Sequence, residues 1–158
     1  MREIPLTQGK VALVDDGDYD LVSRFKWLAA KAPRTWYARR VDYGAGRKKN
    51  ESMHRLILNA PPDKIVDHIN GNGLDNRREN LRLATKIQNN CNTRLRRDNR
   101  SGYKGVKRNA LRWIARIRID RKLIHLGSFA TKEDAARAYD NAARQHFGEF
   151  AKLNFPLE

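Results

Sequence analysis

Apolar positions along this chain come in short runs, and their spacing changes from one region to the next. Residues 4–14, Ile-Pro-Leu-Thr-Gln-Gly-Lys-Val-Ala-Leu-Val, predict short strands broken at a glycine turn. Asp15-Asp16-Gly17-Asp18 is acidic and turn-forming. It lacks the glutamate that closes a calcium loop at its twelfth position, so it predicts a turn leading into a helix N-cap. Leu21, Phe25 and Leu28 recur at helical spacing and predict a small amphipathic helix over 19–31. Residues 36–41 read as a strand. Residues 52–59 form an apolar segment that Pro61-Pro62 ends, because two prolines continue neither a helix nor a central strand.

The next stretch mixes both periods. Ile65-Val66 and Ile69 are β-type residues, so Asp67-His68 belongs on or at the end of a strand. Asn70-Gly71-Asn72-Gly73 is a turn signal, and Leu81-Arg82-Leu83-Ala84 returns as a second strand. Thr85 and Gln88 make a capping box that opens a short helix, with Asn89 in its second turn. Strand, turn, strand and helix thus bring Asp67, His68 and Asn89 near one another. Residues 90–100 have almost no apolar content and read as a linker.

From Ser101 the pattern is new. Residues 103–107, 112–119 and 123–129 read as three strands. In the middle one Trp113, Ala115, Ile117 and Ile119 share one parity, and Arg112, Ile114, Arg116 and Arg118 the other. Side chains alternate across a strand, so one face is apolar and the other carries guanidinium groups. Thr131 caps a helix running to about Phe147, with Gly148 as its stop. Ala135, Ala138 and Ala142 let that helix lie close on the apolar face.

Charge sharpens this picture. The 158 residues hold 33 Lys and Arg against 18 Asp and Glu, a net of +15. Residues 51–89 contribute only +1 of it, so the excess lies on either side. That division suits an enzyme acting on a polyanion, with flanking elements gripping phosphates. The Gly44–Asn50 segment, with Arg47-Lys48-Lys49, is either a hairpin tip or a backbone contact. Arg94, Arg96, Arg97 and Arg100 make the linker an extended arm along a DNA groove. The single cysteine, Cys91, rules out a disulfide scaffold and a cysteine-based zinc finger. No apolar run is long enough to span a membrane and no leader opens the chain. The expectation is a soluble, cytoplasmic protein in a reducing compartment, in the host cell if phage-encoded.

Asp67-His68, Asn80 within Glu-Asn-Leu-Arg, and Asn89 stand at characteristic spacings, with Met53-His54-Arg55-Leu56-Ile57 upstream. In these residues the chain resembles the HNH nucleases of the ββα-metal fold, and among them the phage-type homing endonucleases whose motif ends in Asn. The resemblance implies His68 as general base and Asn80 as the residue that ties the loop and helps to orient it. It also implies Asp67 and Asn89 as oxygen ligands of one divalent ion. A carboxylate with an amide oxygen favours Mg²⁺ (or Mn²⁺) over Zn²⁺. The products implied are 5′-phosphate and 3′-hydroxyl ends. His54 either orients a phosphate or His68, or packs as a structural histidine.

The C-terminal stretch, about residues 101–156, resembles an AP2 domain through Tyr-Lys-Gly-Val, Trp-Ile-Ala-Arg-Ile-Arg, His-Leu-Gly-Ser-Phe, Ala-Ala-Arg-Ala-Tyr-Asp and Ala-Lys-Leu-Asn-Phe-Pro. That resemblance implies that Lys104, Lys107, Arg112, Arg116 and Arg118 face DNA, with Tyr139 reaching a phosphate. His125 stands where plant relatives often have a contacting Trp, and it is assigned, like His146, to DNA contact or packing. The fold expected is α+β: a ββα-metal nuclease module, then a three-stranded antiparallel sheet with one helix. Residues 1–50 are read as a β-rich extension of the nuclease domain, 51–92 as its core, 93–100 as a basic linker and 101–158 as the AP2-like domain. The function expected is metal-dependent, site-directed endonuclease action on double-stranded DNA. The chain is read as a monomer in solution, with a dimer on DNA as one route to a double-strand break. The alternatives are a non-catalytic DNA-binding regulator on a nuclease scaffold and, less well matched by its aromatics, an RNA-binding protein.

Overall fold

The computed structural model describes residues 1–43, 46, 49–93, 95 and 98–156. Arg47 and Lys48 of the basic segment, and Arg94, Arg96 and Arg97 of the arm, lie outside the described residues. The architecture is mixed α and β, with antiparallel sheets and few helices, and the chain divides into two compact units, Met1–Asn89 and Asn90–Glu158.

In the first unit, β1 (Arg2–Pro5) and β2 (Val11–Val14) form an antiparallel pair across a 3-10 turn. Ile4, Ala12 and Val14 are buried, so the two-residue period reads directly as an inner face. Helix α1 (Asp16–Ser23) follows. It is much shorter than the helix expected over 19–31. After Ser23 the burial period drops to two: Trp27 and Ala29 are buried while Leu28 is exposed. Residues Leu28–Lys31 are therefore a strand, β3, which pairs with β4 (Trp36–Asp42). The Trp27 indole N–H donates to Val22 O at 2.8 Å and fixes the turn between helix and strand. The helical spacing of Leu21, Phe25 and Leu28 is a coincidence of two different elements.

Strand β5 (Lys49–Ser52) completes a sheet of order β3-β4-β5 and leads into α2 (Met53–Ile57). Arg55 donates to the carbonyls of Lys64, Ala60 and Pro61, which pins the proline turn beyond α2. Strands β6 (Ile65–His68) and β7 (Leu81–Ala84) pair antiparallel with Asp67 opposite Arg82 and His68 opposite Leu81. Helix α3 (Lys86–Cys91) starts at the capping box, where Thr85 N–H donates to Gln88 Oε1 at 2.8 Å and Gln88 N–H to Thr85 Oγ1 at 3.3 Å. Val66 and Leu81 join Val14, Val22, Trp27 and Met53 in one core, so the N-terminal strands and this hairpin share a single interior.

The second unit carries β8 (Val106–Asn109), β9 (Arg112–Ile119) and β10 (Lys122–Phe129), with β9 central, and helix α4 (Lys132–Phe147). Thr131 Oγ1 caps α4 by accepting from Asp134 N–H. Ala135, Ala136, Ala143 and, on the sheet, Ala115 have no exposed surface. Small side chains on both layers let helix and sheet approach closely. The first strand begins later than the expected 103–107. Gly105 has φ +77, and the backbone before it is held by Ser101 and Asn154 instead of a ladder. Among the described residues no helix is long and apolar enough to cross a membrane.

Candidate active site and basic sheet face

The β6–β7 hairpin is closed by one buried amide. Asn80 Oδ1 accepts from Asn70 N–H at 2.9 Å, its Nδ2 donates to Asp75 O at 2.8 Å, and its carbonyl accepts from Ile69 N–H. These bonds hold the loop that follows His68. The same loop is tied to distant parts of the unit. Asn76 N–H donates to Leu13 O and Leu13 N–H to Leu74 O, both at 2.8 Å. Gly73 N–H donates to Thr35 Oγ1, and a Cβ at Gly73 would fall on Tyr37 and on the Trp36 carbonyl. Arg78 pairs with the buried Asp18 through two bonds of 2.8 Å.

His68 ends β6 and is buried, 5% exposed. Its Nε2 lies 3.3 Å from Asn76 Oδ1. The Asn76 amide nitrogen donates to Leu74 O, which fixes which end of the amide faces the ring. Since Asn76 Oδ1 only accepts, the ring proton sits on Nε2 and the basic lone pair on Nδ1. Burial holds the imidazole below its ordinary value, so it is neutral near neutral pH. Its ring meets His54 edge-on at 5.0 Å and Tyr37 at 5.7 Å between centroids. His54 is driven down to about 3, first by burial and then by the charges of His68, Arg55 and Arg39. His54 Nδ1 is buried with no hydrogen-bond partner.

Asp67 is also buried, and its Oδ2 accepts from Arg82 Nη2 at 2.8 Å and Nε at 3.0 Å. The partner is set by register, because Arg82 lies directly opposite on β7. Asn89 is half-buried in the second turn of α3, its N–H donating to Thr85 O, and among the described residues its side-chain amide bonds no other group. A carboxylate held by an arginine and an uncommitted amide are hard oxygen donors, the chemistry that suits Mg²⁺ or Mn²⁺. No cluster of three or more His, Cys, Asp or Glu side chains suited to a metal occurs among the described residues. The structure thus brings Asp67, His68 and Asn80 together on one hairpin, with Asn89 on the helix that continues from it.

In the second unit, strand pairing assembles one face. Lys107 lies opposite Ile114, Asn109 opposite Arg112, Arg116 opposite His125 and Arg118 opposite Leu123. A bulge between His125 and Gly127 shifts the register, so Leu126 packs inward while Ser128 comes opposite Ile114. Lys107, Arg112, Arg116, Arg118 and His125 therefore share the face away from α4.

Two expected contacts are corrected. Lys104 precedes β8 and turns inward, donating to the carbonyls of Cys91 at 2.6 Å and Thr93 at 3.0 Å, and burial lowers it to about 8. Tyr139 is a core residue, 5% exposed, lying against the bare Cα of Gly105, and burial pushes its hydroxyl up to about 12. Its position on α4 shares the stripe of Ala135, Ala136, Ala142 and Ala143, which faces the sheet. Arg94, Arg96 and Arg97 lie outside the described residues. Sequence reasoning missed Asn76 and Arg82. The signal for Arg82 is the alternation of a two-stranded pair, whereas Asn76 reaches His68 only through the folded loop.

Comparison with known proteins places these features in context. A family model described as HNH endonuclease matches residues 59–91. The chain is 32% identical over 151 residues to an uncharacterized HNH endonuclease of Acanthamoeba polyphaga mimivirus, covering 93% of this chain and 76% of that protein. It is 35% identical over 159 residues to an ethylene-responsive transcription factor of Arabidopsis thaliana, covering 99% of this chain and 54% of that protein. It is 49% identical over 57 residues to a dehydration-responsive element-binding protein of Oryza sativa subsp. japonica, covering 34% of this chain and 18% of that protein. Against these plant relatives the chain spans less than two thirds of their length.

Proposed function

The chain belongs to the HNH endonuclease family, and from that premise we propose that it is a metal-dependent, site-directed endonuclease of double-stranded DNA. The observation that carries this reading is the pairing of a buried, neutral His68, protonated on Nε2 by its bond to Asn76, with the adjacent carboxylate of Asp67. Such an imidazole offers Nδ1 as a general base near neutral pH.

In this mechanism His68 Nδ1 takes a proton from water as the water oxygen forms its bond to phosphorus. The bond from phosphorus to the 3′ oxygen breaks, and the leaving alkoxide takes a proton from solvent, which gives 5′-phosphate and 3′-hydroxyl ends. Asp67 and Asn89 would hold the divalent ion, Mg²⁺ or Mn²⁺. When bound, that ion neutralises charge developing on the phosphate and on the leaving oxygen. Arg82 keeps Asp67 ionised and aimed, and Asn80 keeps the loop behind His68 in place. The ββα-metal arrangement is read into β6, β7 and α3, with residues 51–92 as the nuclease core. Residues 101–158 are read as an AP2-like domain whose Lys107, Arg112, Arg116, Arg118 and His125 contact duplex DNA. The face's charge and its arginine geometry support that assignment, as do the plant relatives. A monomer that acts in the cytoplasm and nicks one strand per site completes the proposal.

Incubation with supercoiled plasmid tests it. Nicked or linear product is expected with Mg²⁺ and none with a chelator. Failure to cut any of a broad set of DNA targets would favour a non-catalytic DNA-binding regulator.

A further inference from the structure

Strand β4 passes in front of His68, and its alternation decides which side chains do so. Tyr37 is on the face that fronts the site, since its ring meets both His54 at 5.6 Å and His68 at 5.7 Å. Arg39 has the same parity, two residues along, or about 6.6 Å at the usual strand rise. Ala38 and Arg40 have the opposite parity. Ala38 is buried in the core, and Arg40 pairs with Glu51. Arg39 is exposed, yet its guanidinium leans back over Tyr37, 5.9 Å from the ring centroid. Its charge reaches inward far enough to act on His54.

The arginines around this site differ in one respect. Arg77 is paired with Asp75, Arg78 with Asp18 and Arg82 with Asp67, each at 2.8 Å, and Arg55 donates to three backbone carbonyls. Arg39 has no oxygen acceptor among the described residues. Nor do the histidines supply a cation, since burial keeps both His54 and His68 neutral. The paired carboxylates and guanidiniums cancel one another, which leaves Arg39 as the guanidinium beside the site with its donors uncommitted. A surface cation with no task would extend into solvent, whereas this one is laid against the ring that separates it from the general base.

We propose that Arg39 binds a backbone phosphate of the strand being cut, flanking the phosphate that is attacked, and so sets that strand over His68. A guanidinium offers a planar fork of donors that matches two phosphate oxygens at once. The Tyr37 ring lies between Arg39 and His68, and this interval suits a neighbouring phosphate better than the scissile one. The inference rests on the endonuclease reading of the same site, and it names a substrate contact absent from the HNH residues.

The test uses the full chain and two readouts. Binding of DNA is measured against salt in a His68→Ala background with and without Arg39→Ala. The salt slope should fall by about one on removing Arg39. Single-turnover cleavage at saturating DNA with Mg²⁺ should slow at least about tenfold in Arg39→Ala, the loss of a charge-assisted contact. Arg39→Lys should keep the slope and recover part of the rate, since lysine keeps the charge and loses the fork. Thermal unfolding of each variant checks that the fold is retained. An unchanged slope would overturn the proposal, even beside a slower rate, because that pattern makes Arg39 act through Tyr37 and His54 and not on DNA. A reduced slope with no cleavage by the wild type would leave the phosphate contact standing and sink the endonuclease reading instead.

Discussion

His68 owes its chemistry to two side chains behind it, Asn76 and His54. Asn76 is fully buried and fixes the proton on Nε2, so Asn76→Ala should lower the cleavage rate by about tenfold to a hundredfold while DNA affinity holds. Single-turnover kinetics beside a binding titration checks this, and an unchanged rate would mean that the tautomer is set elsewhere. His54 contributes a stability effect with a defined sign. An unfolded chain takes up a proton at the ordinary value of 6.5, which the folded His54 refuses down to about 3. Stability is therefore constant above that window and falls as pH drops through it, by about 2 kcal/mol between pH 7 and 5 for one such group. Urea unfolding of the wild type and His54→Phe should show this extra acid sensitivity only in the wild type. Asp67, His68, Asn80 and Asn89 were legible from spacing along the chain. Asn76, Arg82 and Arg39 were not, because their partners are chosen by loop path, strand register and strand parity.

At the scale of elements, the limits of pattern reading show in the stretch after Ser23. Leu21, Phe25 and Leu28 fit a helix, but the alternation of Trp27, Leu28 and Ala29 is what the sheet uses. The hairpin, its capping box and α4 were legible, since each carries local signals that tertiary packing does not override. Where the chain departs from expectation around residues 103–105, a glycine explains it. Gly105 adopts φ +77, and a Cβ there would collide with the Tyr139 ring. Gly105→Ala should therefore destabilise the second unit by about 2 kcal/mol or more, from backbone strain and a displaced core ring. Hydrogen exchange resolved by region should show the loss in β8, β9 and α4, with β6 and β7 unaffected. A neutral substitution would contradict the close contact of helix and sheet.

For the whole molecule, the net charge of +15 lies mostly outside residues 51–89, so sequence alone separated a near-neutral catalytic stretch from its basic flanks. The two compact units fall close to that division. Affinity for DNA should drop steeply with salt, with a slope that falls by about one for each of Arg112, Arg116 or Arg118 replaced by Ala. Removing residues 101–158 should blur target choice and weaken binding while metal-dependent cutting survives. A truncated chain with full selectivity would move the specificity surface elsewhere. The most direct measurement compares His68→Ala with the wild type on the same DNA in Mg²⁺, following cleavage and binding in parallel. The account predicts that cleavage is abolished while binding stays within about twofold, since His68 is buried and acts only on the attacking water. Undiminished cleavage by His68→Ala would contradict it.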